Sequence, residues 1–256
     1  MRILWGAGAL LFLVVGCSAP APQPGRGDDV VLLVDWLPGL ASPYDMDDPP
    51  DFVLYGNGLA VAREHRDSGV VTLVEYRLTP QRVRALFGEA ADAGLFDDED
   101  YSTDTQVIDG GGLVIMLRTE AREHLVKVPV PDPDDWGARG DAAEFAESFR
   151  SPSTWAADDF TRPPAPYRPT RVAVTYLITT ADEDDVPRPW PLPETEPIQE
   201  RCVVITGAAV AQVPELSRTA PWTTLWQHDD TTFHAWIRPL LPDEADCHAS
   251  KRRYLE

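Results

Sequence analysis

Twenty-five of the 256 residues are proline, and they limit what this chain can become. Proline lacks a backbone N–H and fixes φ, so it breaks helix interiors and is confined to the edges of sheets. Many loops are therefore expected and long helices are not. The apolar fraction of 43% is enough for a real core, and the length suits one large domain or two small ones. The prolines also punctuate the chain. Residues 18–29 read as a disordered spacer and residues 160–170 as an inter-domain linker, and a third proline-rich, acidic run spans 181–197. The expected architecture is α+β, with two small domains over residues 30–159 and 171–256. Each is expected to hold an antiparallel sheet with one or two packed helices.

Local signals support that class. Val30 to Leu37, Val70 to Arg77, Leu113 to Arg118 and His124 to Val130 are strand candidates in the first block. FVLYGNGLAVAR, residues 52–63, places apolar runs on both sides of Gly-Asn-Gly and reads as a tight hairpin. Thr79 and Pro80 open a helix whose Val83, Leu86, Phe87 and Ala90 share one face; Gly94 ends it, with Leu95 placed to pack back on Ala90. A second helix is expected from Asp141 to Phe149. In the second block Val172 to Thr179 and Cys202 to Thr206 read as strands, and Thr223 to Gln227 with Thr232 to Ile237 as a hairpin.

The N-terminus constrains location. Arg2 precedes thirteen uncharged residues, Ile3 to Val15, too few to span a bilayer and suited to the apolar region of a signal peptide. The run ends Val14-Val15-Gly16-Cys17, which resembles the lipobox of bacterial lipoprotein precursors. On that reading residues 1–17 form a signal ending at a lipidated cysteine, whose thiol takes a diacylglyceryl group as a thioether. Multiple acyl chains, palmitate-like, then anchor the protein to the outer face of the cell membrane. The alternative is an ordinary cleaved signal with an incidental cysteine. The spacer that follows, if extended as polyproline II, reaches roughly 35 Å.

Charge and cysteines narrow the partners. The formal charge is −20, and no basic stretch exceeds Lys251-Arg252-Arg253, so no nucleic-acid partner is expected. An anionic membrane surface repels such a chain, which leaves the lipid to do the anchoring. Cys202 and Cys247 remain in the exported part and read as one disulfide. The loop of about 46 residues makes it worth roughly 4 kcal/mol in the chain-entropy account. Two free buried thiols are the alternative; without a C-x-x-C, redox catalysis is not expected.

The motifs F-x-L-Y-G-x-G, A-G-L-F at the first helix end, and the closing R-P-L-L-P-D-E-x-x-C resemble those of a family of uncharacterised lipoproteins from high-GC Gram-positive bacteria. The likeness runs over most of the exported chain. It implies an envelope protein and no particular chemistry.

Candidate sites are few. Asp98, Asp100, Ser102 and Asp104 alternate, with Asp109 eleven residues after Asp98, which imitates a calcium loop. Thr103 stands where such a loop needs glycine, and Asp109 is shorter than the usual bidentate Glu. A solvated acidic loop indifferent to calcium is the default reading. His228, Asp229, Asp230 and His234 carry metal-ligating groups, but they fall on a hairpin tip and on opposite strands. His65 and His124 read as isolated and exposed. Trp222, Trp226 and Trp236 either line a groove or fill a core, the core being the commoner use. Gly110-Gly111-Gly112 reads as a loose turn. The chain lacks G-x-S-x-G, H-E-x-x-H, S-x-x-K and G-x-x-x-x-G-K, and nothing in it calls for a cofactor. The functional expectation is a non-enzymatic binding or interaction module for an envelope protein or a small ligand. The alternative is an envelope enzyme or calcium-binding protein whose site is assembled from distant acidic and His residues.

Overall fold

The computed structural model describes residues 22–39, 48–64, 72–97, 101, 110–132, 134–181, 186–192, 202–213, 216, 219–220 and 223–247. The elements are β1 (Val30–Leu37), β2 (Phe52–Tyr55), β3 (Leu59–Glu64), β4 (Thr72–Leu78), α1 (Pro80–Asp92), β5 (Gly112–Arg118), β6 (Glu123–Pro129), α2 (Ala138–Glu147), β7 (Phe160–Pro166), β8 (Arg171–Ile178), β9 (Arg188–Pro189), β10 (Cys202–Thr206), β11 (Leu225–His228) and β12 (Thr231–Pro239). They form two sheets, ordered β6-β5-β1-β2-β3-β4-β7 and β10-β8-β12-β11-β9. All neighbours are antiparallel except β9 and β11. The fold is α+β, as the sequence implies.

The first sheet is buried on both faces. Leu32, Val34, Phe52, Leu54, Ala62 and Ile115 point towards α1 and α2 and pack with Leu86, Phe87, Ala142 and Phe149. Leu33, Val53, Tyr55, Val61 and Leu73 point the other way and pack with Trp236 and Leu241 of the second block. This explains why β1 reads VVLLV without alternation: the central strand has no solvent face. Each large apolar side chain so enclosed contributes about 1.5–3 kcal/mol.

The sequence signals at α1 are met atom by atom. Thr79 Oγ1 accepts the Arg82 N–H at 3.2 Å. Gly94 adopts φ +73°, the Leu95 N–H reaches the Ala90 carbonyl at 3.0 Å, and Leu95 is fully buried. The second helix starts three residues earlier than expected. Arg139 causes this: its guanidinium bonds Asp135 Oδ2 at 2.5 Å and the carbonyls of Pro129 and Val130, pinning the first turn.

Two stretches expected to lack structure are built into the first sheet. Residues 160–166 of the expected linker are β7, paired to β4 at Leu78↔Phe160 and Val74↔Pro166. An edge strand needs hydrogen bonds on one side alone, so Pro163, Pro164 and Pro166 fit there and also block further strand addition. Only residues 167–170 link the two sheets. Within the expected spacer 18–29, residues 23–25 lie against the β5–β6 turn. Pro24 bridges Thr119, the Gly25 N–H bonds the Arg118 carbonyl at 3.0 Å, and the Glu120 N–H bonds the Gln23 carbonyl at 3.3 Å. Backbone pairing needs no apolar side chains, which is why composition hid it.

The closing segment joins the blocks. Arg238 and Glu244 are 1% and 0% exposed and bond at 2.7 Å. Glu244 Oε2 also accepts the Leu241 N–H at 2.8 Å, and Arg238 donates to the Cys247 carbonyl at 3.1 Å. Tyr55 Oη donates to Asp243 Oδ1 at 2.6 Å, and Tyr167 Oη to the Leu240 carbonyl at 2.9 Å. Cys202 and Cys247 form the expected disulfide, with Cα atoms 6.2 Å apart.

Two outcomes are expected. Cys247→Ser lowers the stability of the second sheet by roughly 2–5 kcal/mol, since the bond closes a long loop. Denaturant unfolding followed by hydrogen exchange shows that loss in β8, β10 and β12 before β1–β4. Burial raises the Tyr167 phenol pKa, helped by the carboxylates of Glu244, Glu75 and Asp243. The folded chain therefore holds a proton that the unfolded chain releases near pH 10, so the contribution of Tyr167 to stability is constant below about pH 10 and is lost progressively above it. Tyr167→Phe makes that alkaline decline shallower, while costing about 1 kcal/mol at neutral pH for the lost hydrogen bond. Urea midpoints between pH 7 and 11 measure both.

Candidate functional site

The candidate site is a cavity of about 240 Å³ where three pieces of chain meet. One wall is residues 23–26, which we call the strap. A second is the hairpin tip Gly56-Asn57-Gly58. The third is the entry to α1, from Leu78 through Pro80 to Val83 and Arg84, and Glu120 of the β5–β6 turn contributes an acid.

Each wall is fixed by local chemistry. Asn57 Oδ1 accepts the Leu59 N–H at 2.8 Å and holds the hairpin tip, while its Nδ2 donates to Asp28 Oδ1 at 2.7 Å. The Gly56 N–H reaches the Asp29 carbonyl at 3.0 Å. A Cβ at Gly56 would meet the Arg26 carbonyl carbon and the Gly25 oxygen at 2.7 Å, so the tip and strap touch backbone to backbone. The G-x-G motif is thus a docking seat for the strap as well as a turn. On the strap, Arg26 pairs with Glu120 at 2.6 Å, both side chains being largely exposed.

The third wall carries an electrostatic anomaly. A helix N-terminus is its positive end and favours acids. The first turn of α2 follows the rule with Asp141, whereas the first turn of α1 has no acid and carries Arg82, with Arg84 two residues on. Arg82 is neutralised: it bonds Glu89 at 2.6 Å, lies 3.8 Å from Asp159 and stacks over Trp155 at 4.7 Å. Arg84 is exposed and has no ion-pair partner among the described residues. This placement stands out in a chain with 42 acidic and 22 basic residues.

The residues singled out from sequence fall elsewhere. Cys17 lies outside the described residues, as do Asp98, Asp100, Asp104 and Asp109 of the calcium-like loop, His65 and Trp222. Among the described residues no group of three His, Cys, Asp or Glu is placed to hold a metal. His234 Nδ1 sits 3.1 Å from the Thr224 carbonyl, and His228 Nε2 lies 4.0 Å from Asp229 at the hairpin tip. Trp226 packs with Trp190 and Phe233 inside the second block, whereas Trp236 faces the first sheet, so the two do not share a groove. His124 is not exposed. It is 5% accessible and meets Phe96 edge-on at 5.0 Å, because β6 is covered by the turn after α1. Asp35, Asp48 and Asp51 gather round Arg63, whose guanidinium bonds Asp51 at 2.5 Å and Asp48 at 3.1 Å; Asp51 Oδ2 also takes the Trp36 N–H at 2.7 Å. That cluster ties the entry of β2 to β1 and β3. Comparison with known protein families, with curated proteins and with solved structures returns no match to this chain.

Gly56→Ala is expected to push the strap off the hairpin tip. The amides of Gly25 and Glu120, which bond across the strap, then exchange with solvent markedly faster, while those of β1 and β2 keep their protection. Residue-resolved hydrogen exchange distinguishes this from general destabilisation, in which both sets accelerate together.

Proposed function

We propose that this chain is an exported lipoprotein, anchored by acyl chains on Cys17 at the outer face of the cell membrane, and that it works as a non-enzymatic binding module through the strap cavity. One observation carries the reading: the segment that follows the lipobox-like Val14-Val15-Gly16-Cys17 is itself a wall of the cavity. Anchor and site are therefore parts of one short piece of chain. The resemblance to envelope lipoproteins of high-GC Gram-positive bacteria points the same way.

The geometry gives the proposal a distance. From Cys17 to Pro24, where the strap joins the sheet, is seven residues, or at most about 25 Å of fully extended chain. The module on this reading reaches no further than that from the bilayer, against roughly 35 Å for a free twelve-residue spacer, with the cavity turned towards the headgroups. The groups lining the cavity suit holding a ligand: guanidinium, amide and backbone donors beside the apolar Val83 and Leu78.

Cys17→Ser is expected to abolish labelling by a fatty-acid probe and to move the protein out of the membrane fraction. A photo-crosslinking residue at Asn57 in intact cells captures a partner or ligand that the same residue at Glu144, exposed on α2, does not. Unchanged acylation in Cys17→Ser refutes the anchoring, and equal capture at the two positions refutes the cavity as the binding site.

A further inference from the structure

We infer that the strap cavity binds a phosphate ester, with Arg84 as its principal contact, Arg26 as its second, and Glu120 as a competitor that the ligand displaces. The inference rests on the binding-module reading above and names its ligand. Three observations support it. The cavity, of about 240 Å³, accommodates a small polar group such as a glycerol phosphate. Arg84, on the second turn of α1, is exposed and has no counter-charge among the described residues. Arg26 faces the same space, its guanidinium held by Glu120 at 2.6 Å on the exposed surface, where such a pair contributes little and exchanges readily. An incoming phosphate offers three or more acceptor oxygens to the two guanidinium forks, and guanidinium–phosphate pairs are short, bidentate and strong for hydrogen bonds. It also supplies the counter-charge that Arg84 lacks among the described residues. Glu120 opposes the ligand by its charge, so the site is tuned for release as well as capture. The same chemistry can come from a phospholipid headgroup beneath the anchor or from a soluble phosphate ester.

The test uses the full-length acylated protein in neutral-detergent micelles, titrated with sn-glycerol 3-phosphate and, as control, with glycerol. Calorimetry and phosphorus NMR report binding. The phosphate ester binds and glycerol does not, and the affinity falls as salt rises. Arg84→Gln weakens binding about tenfold, the effect of losing one charge-assisted hydrogen-bonding partner. Glu120→Gln strengthens it several-fold, and Arg150→Gln, beyond the end of α2 where the guanidinium stacks on Trp36, leaves it unchanged. Melting curves confirm that each variant is folded. The absence of any response to glycerol 3-phosphate, or an Arg84→Gln variant that binds as the native chain does, overturns the inference. In vesicles, suppression of glycerol 3-phosphate binding by phosphatidylglycerol but not by phosphatidylcholine assigns the site to a headgroup, whereas binding undiminished in both assigns it to a soluble ester. Acylation is read separately through the fatty-acid probe. Phosphate binding without acylation removes the anchor and keeps the site; acylation without phosphate binding does the reverse.

Discussion

The ion pair between Arg238 and Glu244 governs how the two sheets come together. Both side chains are almost wholly out of water. Burying two charges is costly, and their attraction repays the cost only when the geometry is good and further hydrogen bonds complete the site. Here Glu244 also accepts the Leu241 N–H and Arg238 also donates to the Cys247 carbonyl. Those bonds leave the chain after β12 one path. Along it Leu241 enters the layer beneath the first sheet, Leu240 offers its carbonyl to Tyr167, and Asp243 meets Tyr55. The pair and its two further hydrogen bonds hold that path, and the disulfide closes the same segment covalently onto β10.

What was legible in the sequence was what neighbouring residues decide. The cap at Thr79, the Gly94–Leu95 ending, the Asn57 turn and the limits of β10 rest on interactions within a few positions, and each is found where the residues put it. The disulfide followed from counting the cysteines of a chain read as exported. Features set by distant partners were not legible. β7 is a strand because β4 has a free edge, and its prolines alone read as a linker. His124 is buried because Phe96, 28 positions away, covers it. The both-sided burial of β1 depends on Trp236 and Leu241, some 200 residues on.

The candidate site shows the same division. Arg26 and Arg84 lie far apart in sequence, and no motif links them. The local trace that existed was a G-x-G that reads first as a turn. The second glycine role, backbone contact with the strap, needs both segments in place.

The strap also bears on how so acidic a chain can work beside a membrane. With a formal charge of −20, random orientation on a short tether would bring carboxylates within a Debye length, about 8 Å, of anionic headgroups. Docking residues 23–25 onto the β5–β6 turn removes that freedom. The end of the sheet that the strap reaches carries Arg26, Arg84, Arg118 and Arg122 against Asp28, Asp29, Glu120 and Glu123, four charges of each sign in a chain with 42 acidic and 22 basic residues. A tether fixed there, on the proposed anchoring, holds this charge-balanced end of the sheet towards the bilayer. On the proposed anchoring, orientation is then set by three backbone hydrogen bonds and one glycine contact, and the cavity faces the membrane as a consequence of where the chain is tied.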